Sequence, residues 1–355
     1  MDFTFDETLL QVADLAATVL RGDPDHARIE HVLAAEPGYD ETLWKAMGQA
    51  GLLGLALPTE LGGDGLGPLA VAAVLAEVGR QVVPVPALAT LALGVLPVVA
   101  YGTPDQQAAL LPEVAHGRVL TAAIRDAFGT SATARRDGDA VIVDAVRVGV
   151  PYAAQAHRIL VTTGAGTILV DPSAEGVRLT RTPTSTRAPE YTVRLSGIRV
   201  DASDVLACQP ADVQRFALAG AAAVADGVIA GALALTAAHI GSRVQFGKAL
   251  ATFQGVAMQA ADVYVAARTM HLVATSANWR LAQGFDADDD LDVAGFWLAT
   301  EVQPALQTCH HLHGGLGVDI TYPLHRYFSH AKDLARLVGG QASRLDLIGA
   351  RCSSN

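Results

Sequence analysis

Apolar residues in this chain recur at helical spacing, then at strand spacing, then at helical spacing again, and this order most constrains the fold. Two N-terminal stretches, Leu9 to Leu20 and Leu69 to Val78, repeat apolar residues every three or four positions, as one face of a helix requires. Between about Val119 and Val205 the apolar runs become short, β-branched and bounded by Gly, Asp or Pro, which is typical of strands. Helical spacing returns at about Val213.

These changes predict three domains: a helical domain over residues 1–115, a β domain over 116–207 and a second helical domain over 208–355. In the third domain a stripe steps by three or four residues from Phe253 to Leu281 and predicts a helix face that packs in a core or an interface. The clearest strands are Ala140 to Val143, Ile159 to Val161, Ile168 to Val170 and Tyr191 to Leu195.

Composition and charge limit the possible partners. The 355 residues are 51% hydrophobic, which is enough for a large core in more than one lobe. The formal charge of -11, without a basic stripe, argues against nucleic acid or an anionic membrane as the main partner. Cys208, Cys309 and Cys352 follow neither disulfide nor metal spacing, and the acidic start lacks the basic region of a signal peptide. A cytoplasmic location is therefore expected.

The apolar run from Phe216 to Ile240 is long enough to suggest a membrane span. However, Asp226 lies inside it, and its bulk is alanine and glycine, which partition weakly into lipid. We expect a buried helix whose small residues allow close helix packing, and no membrane partner.

The segment Arg243-Val-Gln-Phe-Gly-Lys-Ala-Leu-Ala-Thr-Phe-Gln254 combines a guanidinium group, a glycine turn and two aromatic rings. Arginine offers a planar, always-charged fork that suits pyrophosphate, and Gly247 permits a sharp turn. Phe246 and Phe253 supply flat apolar faces for a ring system. The segment therefore suggests a bound dinucleotide, and a solvated surface arginine is the alternative.

This spacing resembles the flavin-contacting motif of the acyl-CoA dehydrogenase family. Gly51 to Leu66 resembles that family's Pro-Glu-x-x-Gly-Gly-x-Gly loop, and His311-Leu-His-Gly-Gly-Leu-Gly317, followed by Tyr322-Pro323, resembles its second flavin-contacting loop. The resemblance covers nearly the whole chain. It implies an acyl-CoA dehydrogenase-like fold with an N-terminal helical domain, a middle β-barrel-like domain and a C-terminal four-helix bundle. It also implies FAD as the cofactor, contacted by Arg243, Gln245, Phe246, Leu250, Phe253, Gln254, His311, Leu312, Gly314 and Gly315.

Metal binding is an alternative for two other segments. Five of the eleven histidines, His310, His311, His313, His325 and His330, lie close together in the sequence, and Asp286 to Asp290 is acidic. There is no His-Glu-x-x-His or paired-cysteine motif, and the glycine and glutamate of an EF-hand are missing. We therefore expect no metal. The histidines are interpreted as hydrogen-bond donors to a ligand, and the acidic run as a solvated connection between two helices, extended by charge repulsion.

The reaction of the resembled family requires a carboxylate base, because the α-proton of an acyl thioester is weakly acidic. Most members carry this base as the Glu of a Tyr-Glu-Gly-Thr motif, where this chain has Val338. Other members carry it at the start of the long helix before the arginine motif, where this chain has Gln214 or Ala217. None of these side chains ionises, so no catalytic residue is expected here. Thr121 to Gly129 also departs from the family's isoalloxazine-contacting Thr-Glu-x-x-x-Gly-Ser-Asp motif.

A retained arginine motif without a base resembles the smaller subunit of actinobacterial heterotetrameric (α2β2) acyl-CoA dehydrogenases of steroid side-chain degradation. The resemblance implies that this chain completes an FAD site shared with a homologous, base-bearing partner subunit. The implied substrate is a steroid CoA thioester of cholesterol catabolism with a three-carbon, propanoyl-type side chain, and the implied acceptor is an electron-transfer flavoprotein. Two alternatives stay open: an autonomous homo-oligomer with Asp226 or Asp319 as a displaced base, or a structural subunit that contacts no cofactor.

Overall fold

A computed structural model describes residues 6–21, 26–138 and 140–354. The backbone forms two compact units: one contains the described parts of residues 1–31, 72–83 and 221–355, and the other contains residues 32–71 and the described parts of 84–220. Along the chain the elements are first helical, then β, then helical again, so the predicted order is confirmed. The boundaries 115/116 and 207/208 stay a prediction.

The N-terminal region holds six α-helices among the described residues. They are α1 (Glu7–Leu20), α2 (His26–Ala34), α3 (Glu41–Gln49), α4 (Gly67–Gln81), α5 (Leu96–Tyr101) and α6 (Pro104–Ala115), with a π-helical segment at Leu88–Val95. Local sequence explains their starts. The Asp6 side chain accepts a hydrogen bond from the Leu9 N–H at the start of α1, and Thr103 and Gln106 cap α6 reciprocally. Both α1 and α4 cover the stretches whose spacing predicts helices.

The middle region contains two four-stranded sheets. Their strands are β1 (Val119–Ala123), β2 (Thr133–Asp137), β3 (Ala140–Pro151), β4 (Ala156–Thr163), β5 (Gly166–Val170), β6 (Val177–Thr182), β7 (Glu190–Asp201) and β8 (Val205–Leu206). One sheet has the order β1-β4-β5-β8, in which β1 and β4 are parallel, and the other has the antiparallel order β2-β3-β7-β6. Val143, Ile159, Ile168 and Val193 are fully buried in one core that both sheets share. The four strands expected from the sequence all lie within β3, β4, β5 and β7.

The C-terminal region contains the helices α7 (Pro210–Ser242), α8 (Gln254–Ala282), α9 (Asp288–His313), α10 (Leu324–Leu337) and α11 (Gly340–Ser354). The strands β9 (Val244–Gln245) and β10 (Lys248–Ala249) form a hairpin with a two-residue turn, and this hairpin lies between α7 and α8. Helix α9 packs against α8, α10 and α11. In the middle of α8 the predicted stripe is buried, at Val263, Ala267, Met270, Ala274 and Ala277.

The long apolar helix α7 packs closely against α4 through glycine. A Cβ atom added at Gly227 would lie 1.8 Å from the Ala76 carbonyl oxygen, and one at Gly231 would lie 2.4 Å from the Arg80 carbonyl oxygen. Among the described residues, α7 is the one helix long and apolar enough to cross a membrane, and 72% of its apolar window is buried inside the protein. Close packing against α4 accounts for the small residues, as the sequence predicts.

The acidic run after Gly284 is a solvated connection only at Asp286, which is exposed between α8 and α9, so that expectation is wrong for the other three carboxylates. Asp288, Asp289 and Asp290 are the first turn of α9, where the positive end of the helix dipole stabilises carboxylates. Arginines distant in sequence also pair with them. The Arg280 guanidinium lies 3.2 Å from Asp290, and Arg351 lies 3.6 Å from Asp288 and 3.5 Å from Asp289.

Candidate functional site

A groove of about 860 Å³ opens where the β9–β10 hairpin, the N-terminus of α8 and the C-terminus of α9 meet. All of its lining residues belong to one compact unit. None of the lining residues that the structure describes carries a carboxylate. They are His239, Arg243, Gln245, Phe246, Leu250, Phe253, Gly255, Val256, Gln259, His311, Leu312, His313, Gly314, Gly315 and Leu316.

The hairpin holds Arg243 at the mouth of this groove. The Arg243 N–H donates to the His239 carbonyl at 2.8 Å, which continues α7, and its carbonyl accepts from the Leu250 N–H at 2.9 Å, which closes the hairpin. The two turn residues, Phe246 and Gly247, both have positive φ, +52° and +81°. A two-residue hairpin turn with both φ values positive favours Asn-Gly, and a bulky residue in the left-handed region is uncommon. Phe246 therefore adopts a strained backbone conformation while its side chain is 91% exposed.

Two aromatic rings meet at the hairpin side of the groove. The rings of Phe246 and Phe253 pack edge to face with centroids 6.2 Å apart, and the Lys248 ammonium lies 4.3 Å from the Phe253 centroid. Phe253 also precedes α8, whose first turn carries no acidic side chain and no side-chain cap. The positive end of the α8 dipole thus remains available to an anion from the groove.

Glycines form the opposite wall of the groove. Gly314 ends α9 with φ 59° and ψ −134°, a conformation that a residue with a side chain rarely adopts. A Cβ atom added at Gly314 or Gly315 would have no protein atom within 4 Å, so open space lies above this turn. The backbone there is accessible to a ligand.

A histidine network supports the glycine wall. The buried His313 ring stacks on His239, with centroids 4.4 Å apart and an angle of 18° between planes. Its Nδ1 lies 2.8 Å from the Cys309 carbonyl oxygen and its Nε2 lies 3.1 Å from the Tyr322 hydroxyl. Burial is the main cause that lowers the pKa of both histidines, and Arg243 lowers the pKa of His239 further.

The histidines weighed as metal ligands have separate partners. The Nδ1 atoms of His310, His313 and His325 lie 2.7 to 2.8 Å from three different backbone carbonyl oxygens, those of Gly317, Cys309 and Tyr322. Within residues 6–21, 26–138 and 140–354, no group of three or more His, Cys, Asp or Glu side chains could hold a metal ion.

The structure brings together nine of the ten residues expected to contact the cofactor. The tenth, Gln254, is exposed at the first position of α8, next to the lining residues Phe253 and Gly255. Six more lining residues are not among these ten: His239, Gly255, Val256, Gln259, His313 and Leu316. His313 and Leu316 lie within the loop His311 to Gly317 that resembles the family's second flavin-contacting loop. His239 could have been found from the sequence, because it precedes Arg243 by four positions, which is about one helical turn. Val256 belongs to the stripe from Phe253 to Leu281, which is expected to pack in a core or an interface, and the structure places it in the groove wall.

The positions of the missing base lie outside the groove lining. Val338 is 2% exposed at the end of α10, Ala217 is 3% exposed in α7, and Gln214 is exposed in α7. The two carboxylates considered as displaced bases do not line the groove either. Asp226 lies 2.9 Å from His271 Nδ1, and Asp319 accepts hydrogen bonds from the Thr321 N–H and hydroxyl.

The other compact unit contains both remaining segments that bear on the family resemblance, Gly51 to Leu66 and Thr121 to Gly129. Gly51 to Leu66 closes on itself, since the Gly63 N–H donates to the Pro58 carbonyl and the Leu66 N–H to the Leu55 carbonyl. In the middle region, Asp126 lies 2.7 Å from Arg147, whose side chain is almost completely buried, while the Phe128 side chain is fully exposed. The segment that departs from the isoalloxazine motif thus carries an ion pair and an exposed aromatic.

Known proteins match this chain over nearly its full length. Residues 7–118 match the acyl-CoA dehydrogenase N-terminal domain, and residues 207–352 match the acyl-CoA dehydrogenase C-terminal domain. Acyl-CoA dehydrogenase FadE28 of Mycobacterium tuberculosis is 49% identical over 87% of this chain and 92% of its own length. Acyl-CoA dehydrogenase FadE27 of the same organism is 32% identical over 98% of both chains.

Solved structures share the fold. A chain of the ChsE4-ChsE5 complex from Mycobacterium tuberculosis superposes with a TM-score of 0.94 at 30% identity, covering 100% of both chains. A chain of a variant of the Tcur3481-Tcur3483 steroid ACAD superposes with a TM-score of 0.91 at 35% identity, covering 98% of this chain and 99% of that one. The chain therefore belongs to the acyl-CoA dehydrogenase family, the FAD-dependent oxidoreductases that act on CH–CH bonds.

Proposed function

We propose that this chain is the base-less subunit of a heteromeric acyl-CoA dehydrogenase that desaturates the side chain of a steroid CoA thioester. Its groove completes the FAD site, and a homologous partner subunit contributes the carboxylate that removes the α-proton. The observation that carries this proposal is a well-formed groove for an anionic dinucleotide in a chain with no ionisable group at either base position.

The groove residues fit the diphosphate and adenosine half of FAD. Arg243 offers a charged fork to the diphosphate, and the amides of Gln245 and Gln259 offer polar contacts to ribose or base. Phe246 and Phe253 offer ring faces, and the open turn at Gly314 lets the ligand approach the backbone. A lining without carboxylates does not repel the diphosphate. When bound, FAD supplies the acceptor for the β-hydrogen that leaves the substrate as hydride.

Proton removal is the function that this chain lacks. Valine at 338 and alanine at 217 cannot accept a proton, and the Gln214 amide is not basic. Asp226 and Asp319 have their own partners outside the groove, which argues against a displaced base in an autonomous enzyme. Since dehydrogenation requires a placed base, the base must come from a neighbouring chain.

An exposed apolar stripe beside the groove supports a heteromeric assembly. Met258, Val265 and Leu272 follow each other at seven-residue spacing along α8 and are 61%, 61% and 48% exposed. Tyr264, at 55%, extends this stripe, and Val244 in the hairpin is 57% exposed. Exposed apolar side chains that recur on one face of a helix favour an interaction surface, and Asp262 and Thr269 lie between them here. The names of two solved neighbours, the ChsE4-ChsE5 complex and the Tcur3481-Tcur3483 steroid ACAD, each denote two components.

The substrate assignment is the finer part of the proposal. One solved neighbour is a steroid ACAD at 35% identity, and we assign a steroid CoA thioester with a three-carbon, propanoyl-type side chain to the heteromer. An electron-transfer flavoprotein is the proposed acceptor, and the cytoplasm is the proposed location.

Co-expression with a base-bearing homologous subunit tests this function. The complex is expected to purify with FAD, measured by its visible flavin spectrum. It is also expected to oxidise a steroid CoA thioester with a three-carbon side chain faster than thioesters with longer side chains. The matched control replaces the partner's carboxylate base with its amide, which should abolish turnover and leave FAD occupancy unchanged. A partner that neither co-purifies nor raises FAD occupancy would contradict the shared site.

A further inference from the structure

His239 occupies the groove wall with both ring nitrogens available to a ligand. It lies on α7, one helical turn before Arg243, and is half-buried. No described residue forms a hydrogen bond to either nitrogen of its ring, and the ring stacks on that of His313. A half-buried imidazole with free nitrogens, facing a carboxylate-free groove, is suited to bind an anion.

The histidine beneath it is fixed in the neutral form. A carbonyl oxygen only accepts, so His313 Nδ1 carries the proton that it donates to Cys309. Its Nε2 then accepts from the Tyr322 hydroxyl at 3.1 Å, and burial raises the pKa of Tyr322, which keeps that hydroxyl protonated. His313 thus presents a neutral aromatic face to His239, against which an imidazolium is electrostatically favoured.

The charged and titratable groups around His239 explain its state in the free groove. Arg243, which directly follows its helix, is the cation that acts on it, His313 stacks on it from α9, and His311 lines the same groove. Burial lowers the pKa of His239 first and Arg243 lowers it further, so the free groove holds His239 neutral at pH 7. An anion bound between Arg243 and His239 offsets the effect of the Arg243 charge on the pKa of His239 and favours the imidazolium.

We propose that His239 binds the diphosphate of the dinucleotide as an imidazolium, so that binding takes up one proton from solvent. This inference rests on the proposed function for the identity of the dinucleotide as FAD. Both phosphate groups of the FAD diphosphate stay ionised across the neutral range, so the proton goes to the imidazole nitrogen and not to the ligand. His239 has a raised pKa in the bound form. Affinity therefore rises as pH falls from the bound-state pKa towards the free-state pKa, by up to about tenfold per pH unit for a single proton.

Calorimetric titration of the FAD-free complex with FAD measures this proton directly. Titrations at about pH 6.5, in buffers that differ in ionisation enthalpy, count the protons taken up on binding. The wild-type complex is expected to take up a measurable fraction of one proton. His239→Gln keeps an amide donor at the site but cannot titrate, so the proton uptake on FAD binding is expected to fall by that fraction. The variant is also expected to bind FAD up to about tenfold more weakly at low pH. His311→Gln tests another histidine of the groove wall, and His116→Gln, at an exposed histidine outside the groove lining, is the control that is expected to retain the wild-type uptake.

The outcomes separate this inference from the proposed function. Tight FAD binding without proton uptake in the wild type, or with equal uptake in His239→Gln, would overturn the role of His239 and leave the FAD site intact. Loss of uptake in His311→Gln but not in His239→Gln would also overturn it. Absence of FAD binding by the wild-type complex would overturn both proposals. The wild-type proton count needs no substitution and stands even if a variant folds poorly.

Discussion

Replacing Arg243 with alanine is expected to weaken FAD binding to the assembled complex by one to two orders of magnitude. Arg243 is exposed in the free groove and supplies its only arginine among the described lining residues. Hydrogen bonds to a charged group contribute about 1.5 to 3 kcal/mol, and about 1.4 kcal/mol corresponds to a tenfold change in dissociation constant. The expected increase in dissociation constant is therefore roughly 10- to 150-fold.

Folding should be affected much less than binding. Because the Arg243 side chain is exposed, its removal leaves no buried partner unsatisfied, and the FAD-free complex should unfold at nearly the wild-type temperature. Arg243→Lys keeps the charge but loses the planar fork, so we expect a loss smaller than that of alanine. Fluorescence titration of the FAD-free complexes measures all three dissociation constants.

A matched control removes the same charge elsewhere. Arg178 is exposed on β6 and outside the groove, so Arg178→Ala should leave the dissociation constant within about twofold of wild type. If Arg243→Ala behaves like Arg178→Ala, the groove is not the diphosphate site, and the structural-subunit alternative is favoured.

Three other substitutions test the contact of α7 with α4, the turn at Gly314 and the exposed stripe of α8. Gly227→Ala places a Cβ 1.8 Å from the Ala76 carbonyl oxygen and should lower the free energy of unfolding by about 3 kcal/mol or more. Its control is Gly241→Ala, whose Cβ has no atom within 4 Å, and it should be neutral or stabilise by up to about 1 kcal/mol. Chemical denaturation compares the two variants, and equal stabilities would refute the close contact of α7 with α4. Gly314→Ala should destabilise by about 1 to 3 kcal/mol because of its positive φ, and thermal unfolding against Gly315→Ala, which is unstrained, checks this. Val265→Asp charges the exposed stripe of α8 and should abolish co-purification with the partner, while Leu10→Asp, at a similarly exposed site on α1, should not; intact assembly in Val265→Asp would place the interface elsewhere.

Much of the fold and of the candidate site could be predicted from the sequence, since both depend on local patterns. Apolar periodicity predicts α1, α4 and the strands within β3, β4, β5 and β7. The groove assembles nine of the ten expected residues because Arg243 to Phe253 is one local hairpin and turn, and His311 to Gly315 is one helix end.

The remainder depends on contacts between distant parts of the chain. The parallel pairing of β1 with β4 joins strands separated by β2 and β3, and no local pattern specifies it. Asp288 to Asp290 pair with Arg280 and Arg351, and the local pattern does not predict the second of these partners, which is about sixty residues away. His239 stacks on His313 in the groove wall, and this contact joins α7 to α9, which are distant in sequence.

Turnover by the purified chain alone is the most direct test of the account. The isolated chain, supplied with FAD, a steroid CoA thioester and an artificial electron acceptor, is expected to show no dehydrogenation, because none of the described residues that line its groove carries a carboxylate to act as the base. Addition of the base-bearing partner subunit is expected to start the reaction. Steady dehydrogenation by the chain alone, lost in Asp226→Asn or Asp319→Asn, would contradict the shared site and identify a displaced base.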